Sequence, residues 1–212
     1  MKLIVISSPN KSKSEIRHII GLFEAGLEVF HIKKSDFSRK QMKAYLQMIP
    51  RKYHGQLVLH SHYDLAPKFG LKGIHLSKSK RRKSDVLRAI SFWYAKVFTP
   101  GLKVSKSFHS IQSLINDKGK YEYVFLSPVF DRHDIQEFSA AFSEKQLRSV
   151  LFKTHHKVFA LGGIRVGRVE LARRTGFDGV ALHSAIWKEK KDKMARFNEL
   201  KTEVERVSSD IS

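Results

Sequence analysis

A chain of 212 residues with 42% hydrophobic content can bury one good core, and the whole of 1–212 reads as a single domain. The absence of cysteine excludes a disulfide framework, a thiolate nucleophile and a thiolate metal site, and fits a reducing compartment. Forty Lys and Arg against twenty Asp and Glu leave a net charge of +20, which draws anionic ligands. No stretch reads as a signal peptide or a membrane span, so a soluble, cytoplasmic protein with no membrane partner is expected.

Lys2 to Ile6 reads as a first strand. Ser12 or Ser14 can cap a helix with apolar residues at Ile16, Ile19, Ile20 and Phe23, which Gly26 ends. Leu27 to Ile32 is strand two. Ser38 opens a helix carrying Met42, Tyr45, Leu46 and Ile49, and Pro50 closes it. Gln56 to His60 is strand three, a short helix ends near Phe69-Gly70, and Gly73 to Leu76 is strand four. A helix follows from Ser84 to about Phe92; the segment FWYAKVF either extends it or runs extended. Strand five is placed at Leu102 to Ser105, with Ser107 or His109 starting the next helix. Strand six is Tyr123 to Leu126, and Ser143 to Phe152 is helical.

The stretch HKVFALGGIRVGRVELARRTGFDGVALHSAIW is the most informative. Lys157 to Leu161 is a buried-type strand stopped by Gly162-Gly163. Val166 to Thr175 has helical spacing, with Gly176 at its C-cap, and Asp178 to Leu182 is a last strand ending at His183-Ser184-Ala185. A final helix covers about 190–207, with 208–212 expected to fray. Strand and helix thus alternate eight times, which predicts a single-domain (β/α)8 barrel; no Gly-rich fingerprint follows the first strand, which argues against a doubly wound sheet.

In such a barrel the site is built where strands end. Small-residue turns after strands seven and eight expose main-chain amides to an anion, making Gly162, Gly163, His183 and Ser184 candidate phosphate binders. His31, Lys33, Lys34 and Ser35 follow strand two, His60, Ser61 and His62 strand three, and His75, Ser77 and Lys78 strand four. Ser107 and His109 follow strand five and Ser127-Pro128 strand six. His31, His60, His62, His75, His109 and His183 gather six of the eleven histidines on one rim. A rim so cationic and poor in carboxylates suits a phosphorylated small molecule better than Mg²⁺. His60 and His62 share a strand face and form a candidate zinc pair with a third rim histidine. No acidic orienter stands near and His62 borders the next helix, so no metal is assigned. His54, His155 and His156 are expected on the surface of the opposite face. The run Lys78-Ser79-Lys80-Arg81-Arg82-Lys83 lacks interleaved aromatics, which counts against nucleic acid as a partner. A homo-oligomer stays open.

These motifs resemble the thiamin phosphate synthase family, which includes the related thiazole tautomerases. The similarity spans nearly the whole chain and is most specific in ALGGIRVGRVELARRTGFDGVALHSAIW, with KGIHLSKSK, VSKSFHS, YVFLSPVF, EVFHIKKSD and LVLHSHYDLA alongside. The resemblance implies a transferase joining hydroxymethylpyrimidine pyrophosphate to thiazole phosphate, with release of pyrophosphate. It gives Gly162, Gly163, His183 and Ser184 to the thiazole phosphate, and Ser107 to the pyrophosphate or pyrimidine. His75 would line the pocket, and His31, Lys33 and Ser35 fall on the pyrophosphate-binding strand. The catalytic set so implied is Ser107, His31, Lys33 and His109; His60, Ser61, His75, Ser35 and Lys80 are the substrate-binding set.

The departures from the family are specific. Its two Mg²⁺-binding aspartates fall on Ser61 and Lys80, the preceding Asn falls on His60, and no Lys stands between Phe130 and Glu144. Mg²⁺ thus loses its carboxylates, and no cofactor is assigned. Lys33, Lys34, Lys78, Lys80 and Arg81 are then the candidates to balance pyrophosphate. A metal-free tautomerase using His31, His109 or His133, or a non-catalytic binder of a phosphorylated thiamin-pathway metabolite, are the alternatives.

Overall fold

A computed structural model describes residues 1–8, 14–77, 83–130, 142–188 and 192–209, with backbone alone at 83–86 and 88. Eight parallel strands close into one barrel in chain order. They are β1 (Lys2–Ile6), β2 (Phe30–Ile32), β3 (Leu57–Leu59), β4 (Gly73–Leu76), β5 (Lys103–Phe108), β6 (Tyr123–Leu126), β7 (Val158–Leu161) and β8 (Gly179–Leu182). Between them lie α1 (Ser14–Glu24), α2 (Arg39–Met48), α3 (Leu65–Phe69), α4 (Lys83–Phe98), α5 (Ile111–Ile115), α6 (Glu144–Lys153), α7 (Arg168–Thr175) and α8 (Ser184–Trp187), with α9 (Lys193–Ser209) last. The expected (β/α)8 barrel is therefore the fold. The chain forms two compact units, Ile6–Ser105 and Met1–Val5 with Lys106–Ser212.

In the first unit β2 and β3 pair through His31↔Val58, and β3 and β4 through Val58↔Gly73. Phe30, Ile32, Leu57, Leu59 and Ile74 are fully buried, which is why these strands read as unbroken apolar runs. α1 turns Ile16, Ile19, Leu22 and Phe23 inward, so Leu22 takes the place expected for Ile20, which is half-buried. Ser14 is the helix's first residue and not its cap, and Ser12 lies outside the described residues. Ser38 caps α2 as the sequence indicates. Its hydroxyl accepts from Gln41 N–H while the Gln41 side chain accepts from Ser38 N–H. A 3-10 turn, Arg51–Gln56, follows Pro50 and was not foreseen. FWYAKVF proves helical and carries α4 to Phe98, leaving Leu87, Ile90, Trp93, Val97 and Phe98 exposed.

In the second unit β7 pairs with β6 through Phe125↔Phe159 and with β8 through Leu161↔Ala181, while β1 joins β8 through Ile4↔Ala181. Gly179 is needed for this: a Cβ there would collide with the Phe159 ring and the Lys2 carbonyl. β5 runs to Phe108, three residues past the expected end, so Ser107 lies within the strand. α5 is capped by Ser110, not Ser107 or His109, because Ser110 has the extended backbone and the hydroxyl that accepts from Ser113 N–H at 3.2 Å. The expected fraying at Ser208 and Ser209 is also corrected. α9 includes both, and Ser208 Oγ accepts from the Met1 ammonium at 2.6 Å. His54 and His156 are buried and only His155 is exposed, since His54 bonds to the Ile49 and Phe69 carbonyls and His156 to that of Asp117. Among the described residues no helix is long and apolar enough to cross a membrane.

Candidate functional site

Parallel pairing of β7 and β8 puts both small-residue turns at one edge. Carried on from Leu161↔Ala181, the register sets Gly163 beside His183. Gly162 and Gly163 have φ of 99° and 67°, a region that favours glycine. Gly162 has a second constraint, because a Cβ would lie 3.0 Å from the Cα and Cβ of Pro128. The loop after β6 is tied down here, with Val129 N–H donating to the Leu161 carbonyl at 3.0 Å and Phe130 N–H to that of Gly162 at 3.3 Å. Among the described residues Gly163 and Ser184 donate their amides to no carbonyl or side chain, so both remain available to an anion.

Sequence reasoning missed the support beneath this cup. Arg168, 1% exposed, donates from Nη1 to the Gly163 carbonyl at 2.7 Å and lies 5.3 Å over the Phe130 ring. It fixes the Gly163–Ile164 peptide plane and sets a permanent positive charge at the turn. Nothing in RVGRVELARR distinguishes this arginine from its neighbours, so no sequence signal could have found it. His109, expected at the same rim, is exposed and bonds through Nδ1 to the Ser127 carbonyl at 2.9 Å. A carbonyl can only accept, so Nδ1 is the donor in this bond.

In the other unit His31, His60 and His75, from the ends of β2, β3 and β4, meet inside the barrel wall. His31 Nδ1 lies 2.9 Å from His60 Nε2, and the His60 and His75 rings stack at 4.2 Å. All three are buried, so the rim placement expected of His31 and His75 is corrected: both are fully enclosed, and only His60 keeps 9% exposure. Burial lowers all three pKa values. For His31 the charge of His75 adds to it, and for His60 those of His75, His31 and Lys33. His75 is pushed down to about 3, by burial first and the Lys33 ammonium second. Sequence reasoning missed Ser105, whose Oγ lies 2.8 Å from His75 Nδ1; Ser107 is two residues on along the same strand face.

His62 is apart from this group, at φ 52°, donating from Nε2 to the Phe37 carbonyl at 2.8 Å, so the His60–His62 pair does not form. Lys34 is removed from the list of rim cations. It is 2% exposed, and its ammonium donates to the Ser8 carbonyl at 2.6 Å and to Glu15 at 2.5 Å. Lys33 and Ser35 are exposed, and Ser61 is half-buried beside His60. Lys78, Lys80, Arg81 and His133 lie outside the described residues.

Comparison with known proteins gives the chain a family and relatives of the same fold. A family model described as thiamine monophosphate synthase matches residues 3–186. The thiamine-phosphate synthase of Photorhabdus laumondii is 28% identical over 174 residues, covering 80% of this chain and 77% of that protein. The putative thiamine-phosphate synthase 2 of Aquifex aeolicus is 23% identical over 164 residues, or 76% of this chain and 83% of that one. Among solved structures, a thiamine phosphate pyrophosphorylase from Bacteroides thetaiotaomicron superposes with a TM-score of 0.77 at 27% identity, covering 100% of both chains.

Proposed function

The chain belongs to the thiamine monophosphate synthase family, and from that premise we propose that it joins hydroxymethylpyrimidine pyrophosphate to thiazole phosphate, releasing pyrophosphate. The observation that supports this most is the pair of adjacent turns, Gly162–Gly163 and His183–Ser184, with Arg168 beneath the first. In this reading their amides hold the thiazole phosphate. Ser107 meets the pyrophosphate or the pyrimidine. His31, Lys33 and Ser35 serve the pyrophosphate, and His60, Ser61 and His75 the pyrimidine side, with Lys80 completing the substrate-binding set.

The Mg²⁺ that the resemblance implies does not fit the described residues. Mg²⁺ takes oxygen ligands, largely carboxylate and water, whereas the ends of β2, β3 and β4 offer imidazole nitrogens and the Ser61 hydroxyl. The leaving pyrophosphate is met by fixed charge in this reading, and the exposed Lys33 supplies it. A second reading, a thiazole tautomerase-like proton transfer, is favoured by His109, an exposed imidazole that its Nδ1–H···O bond to Ser127 holds in place.

Supplying the protein with both precursors, with and without Mg²⁺, tests the first reading. Thiamin phosphate is expected in both cases, and none at high enzyme concentration overturns it. Thiazole aromatisation lost in His109→Ala would establish the second. Binding of thiazole phosphate with neither turnover would identify a non-catalytic binder.

A further inference from the structure

The three buried histidines lie close together at β2, β3 and β4, an arrangement that substrate contacts alone do not call for. We propose that His31, His60 and His75 form a binding site for one divalent transition-metal ion, Zn²⁺ foremost, held at the ends of β2, β3 and β4.

One ring nitrogen from each residue lies within 4.8 Å of those of the other two. Ligand atoms around a tetrahedral zinc with Zn–N of about 2.0–2.1 Å stand roughly 3.4 Å apart, so closure needs side-chain rotations on the order of an ångström. Strands carry all three residues or end at them, which limits other movement. The donor set decides the ion: three imidazoles and no carboxylate select zinc or its first-row neighbours over Mg²⁺ or Ca²⁺.

Polar satisfaction points the same way. His31 and His60 share a single proton across 2.9 Å, and His60 Nδ1 has no hydrogen-bond partner although the residue is buried. The neighbouring Ser61 Oγ is likewise buried without a partner. Three core histidines serving only as packing would leave that cost standing. An ion that takes one nitrogen from each ring replaces the proton shared between His31 and His60. An outer partner is also in place. Ser105 Oγ donates to the Ile74 carbonyl at 3.4 Å and lies 2.8 Å from Nδ1 of His75, which holds that ring in place.

All three rings are buried, which disfavours the charged imidazolium, whose proton a metal would have to displace. Among the described residues, Lys33 is a charged side chain that acts on His60 and His75. It opposes a bare cation and favours an ion whose fourth ligand is anionic or hydroxide. Access is from the rim at His60 and Ser61, the two members with exposure. The inference stands on this constellation and not on the synthase reading.

The test uses the full chain stripped with a chelator. Zn²⁺ titrated calorimetrically is expected to bind at one ion per chain, and Co²⁺ to give the intense visible bands of a four-coordinate site. His31→Asn, His60→Asn and His75→Asn should each weaken binding by about tenfold or more. Replacing the peripheral His18 and His155 together with Ala should leave it unchanged. Because the Asn variants could fail to fold, ring ¹⁵N–¹H spectra of the wild type provide a second readout, with three buried imidazoles shifting at one equivalent of Zn²⁺. The proposal is overturned if folded wild type takes up no stoichiometric ion, if binding survives in the folded Asn variants, or if only exposed histidines shift. Thiamin phosphate formation by metal-free protein would not bear on it, so failure of the site and failure of the reaction are read separately.

Discussion

Gly162 combines a φ of 99° with a Pro128 backbone 3.0 Å from where a Cβ would stand. Gly162→Ala must therefore strain the turn and push the loop after β6, at a cost of about 1–3 kcal/mol. Thiazole phosphate binding should weaken along with the melting temperature, whereas a change in Tm alone would separate the turn from the ligand. His75 sets a pH dependence. Its folded pKa of about 3 lies below the unfolded value near 6.5, so the unfolded chain binds more protons between them. Stability is then complete above about pH 6.5 and falls by about 1.4 kcal/mol per pH unit toward 3. His31 and His60 shift in the same direction and steepen the fall. Tm measured from about pH 7.5 down to about pH 5 should drop, and His75→Asn should flatten the curve.

At the scale of elements, α1 and α2 are locked by a buried network in which Glu15 accepts from Ser8 N–H at 2.6 Å, from Lys34 at 2.5 Å and from Tyr45 at 2.8 Å. Burial, with the Glu15 charge beside it, raises the Tyr45 pKa, so the phenol stays a donor. Lys34→Met strands the Glu15 carboxylate and should cost about 3–5 kcal/mol in urea denaturation. Adding Glu15→Gln to it should recover part of that loss. Ser38→Ala, which removes half of a capping box, should cost about 1 kcal/mol. The cap was legible because its residue types and spacing are local. The network was not, because a lysine in KKSD reads as surface until the loop after β2 folds over α1.

For the molecule as a whole, the +20 charge is a field and not a fold determinant. If it steers anionic substrates, raising NaCl from about 0.05 to about 0.5 M should weaken thiazole phosphate binding several-fold by calorimetry. An unchanged Kd would leave the charge to solubility. The closed order β1 through β8 follows the chain, which is why alternation of elements sufficed to foresee the barrel.

Legible in the amino-acid order alone were the succession of strands and helices, the helix start at Ser38, and the paired glycine and serine turns beyond β7 and β8. Each of these rests on local chemistry: side-chain period, backbone freedom and the short reach of a hydroxyl. Folding alone brings His31 to His60 across 29 residues, Ser105 to His75, and Arg168 beneath Gly163. Strand period says which face a residue shares, but the register between strands says whom it touches, and that register is set by closing the barrel.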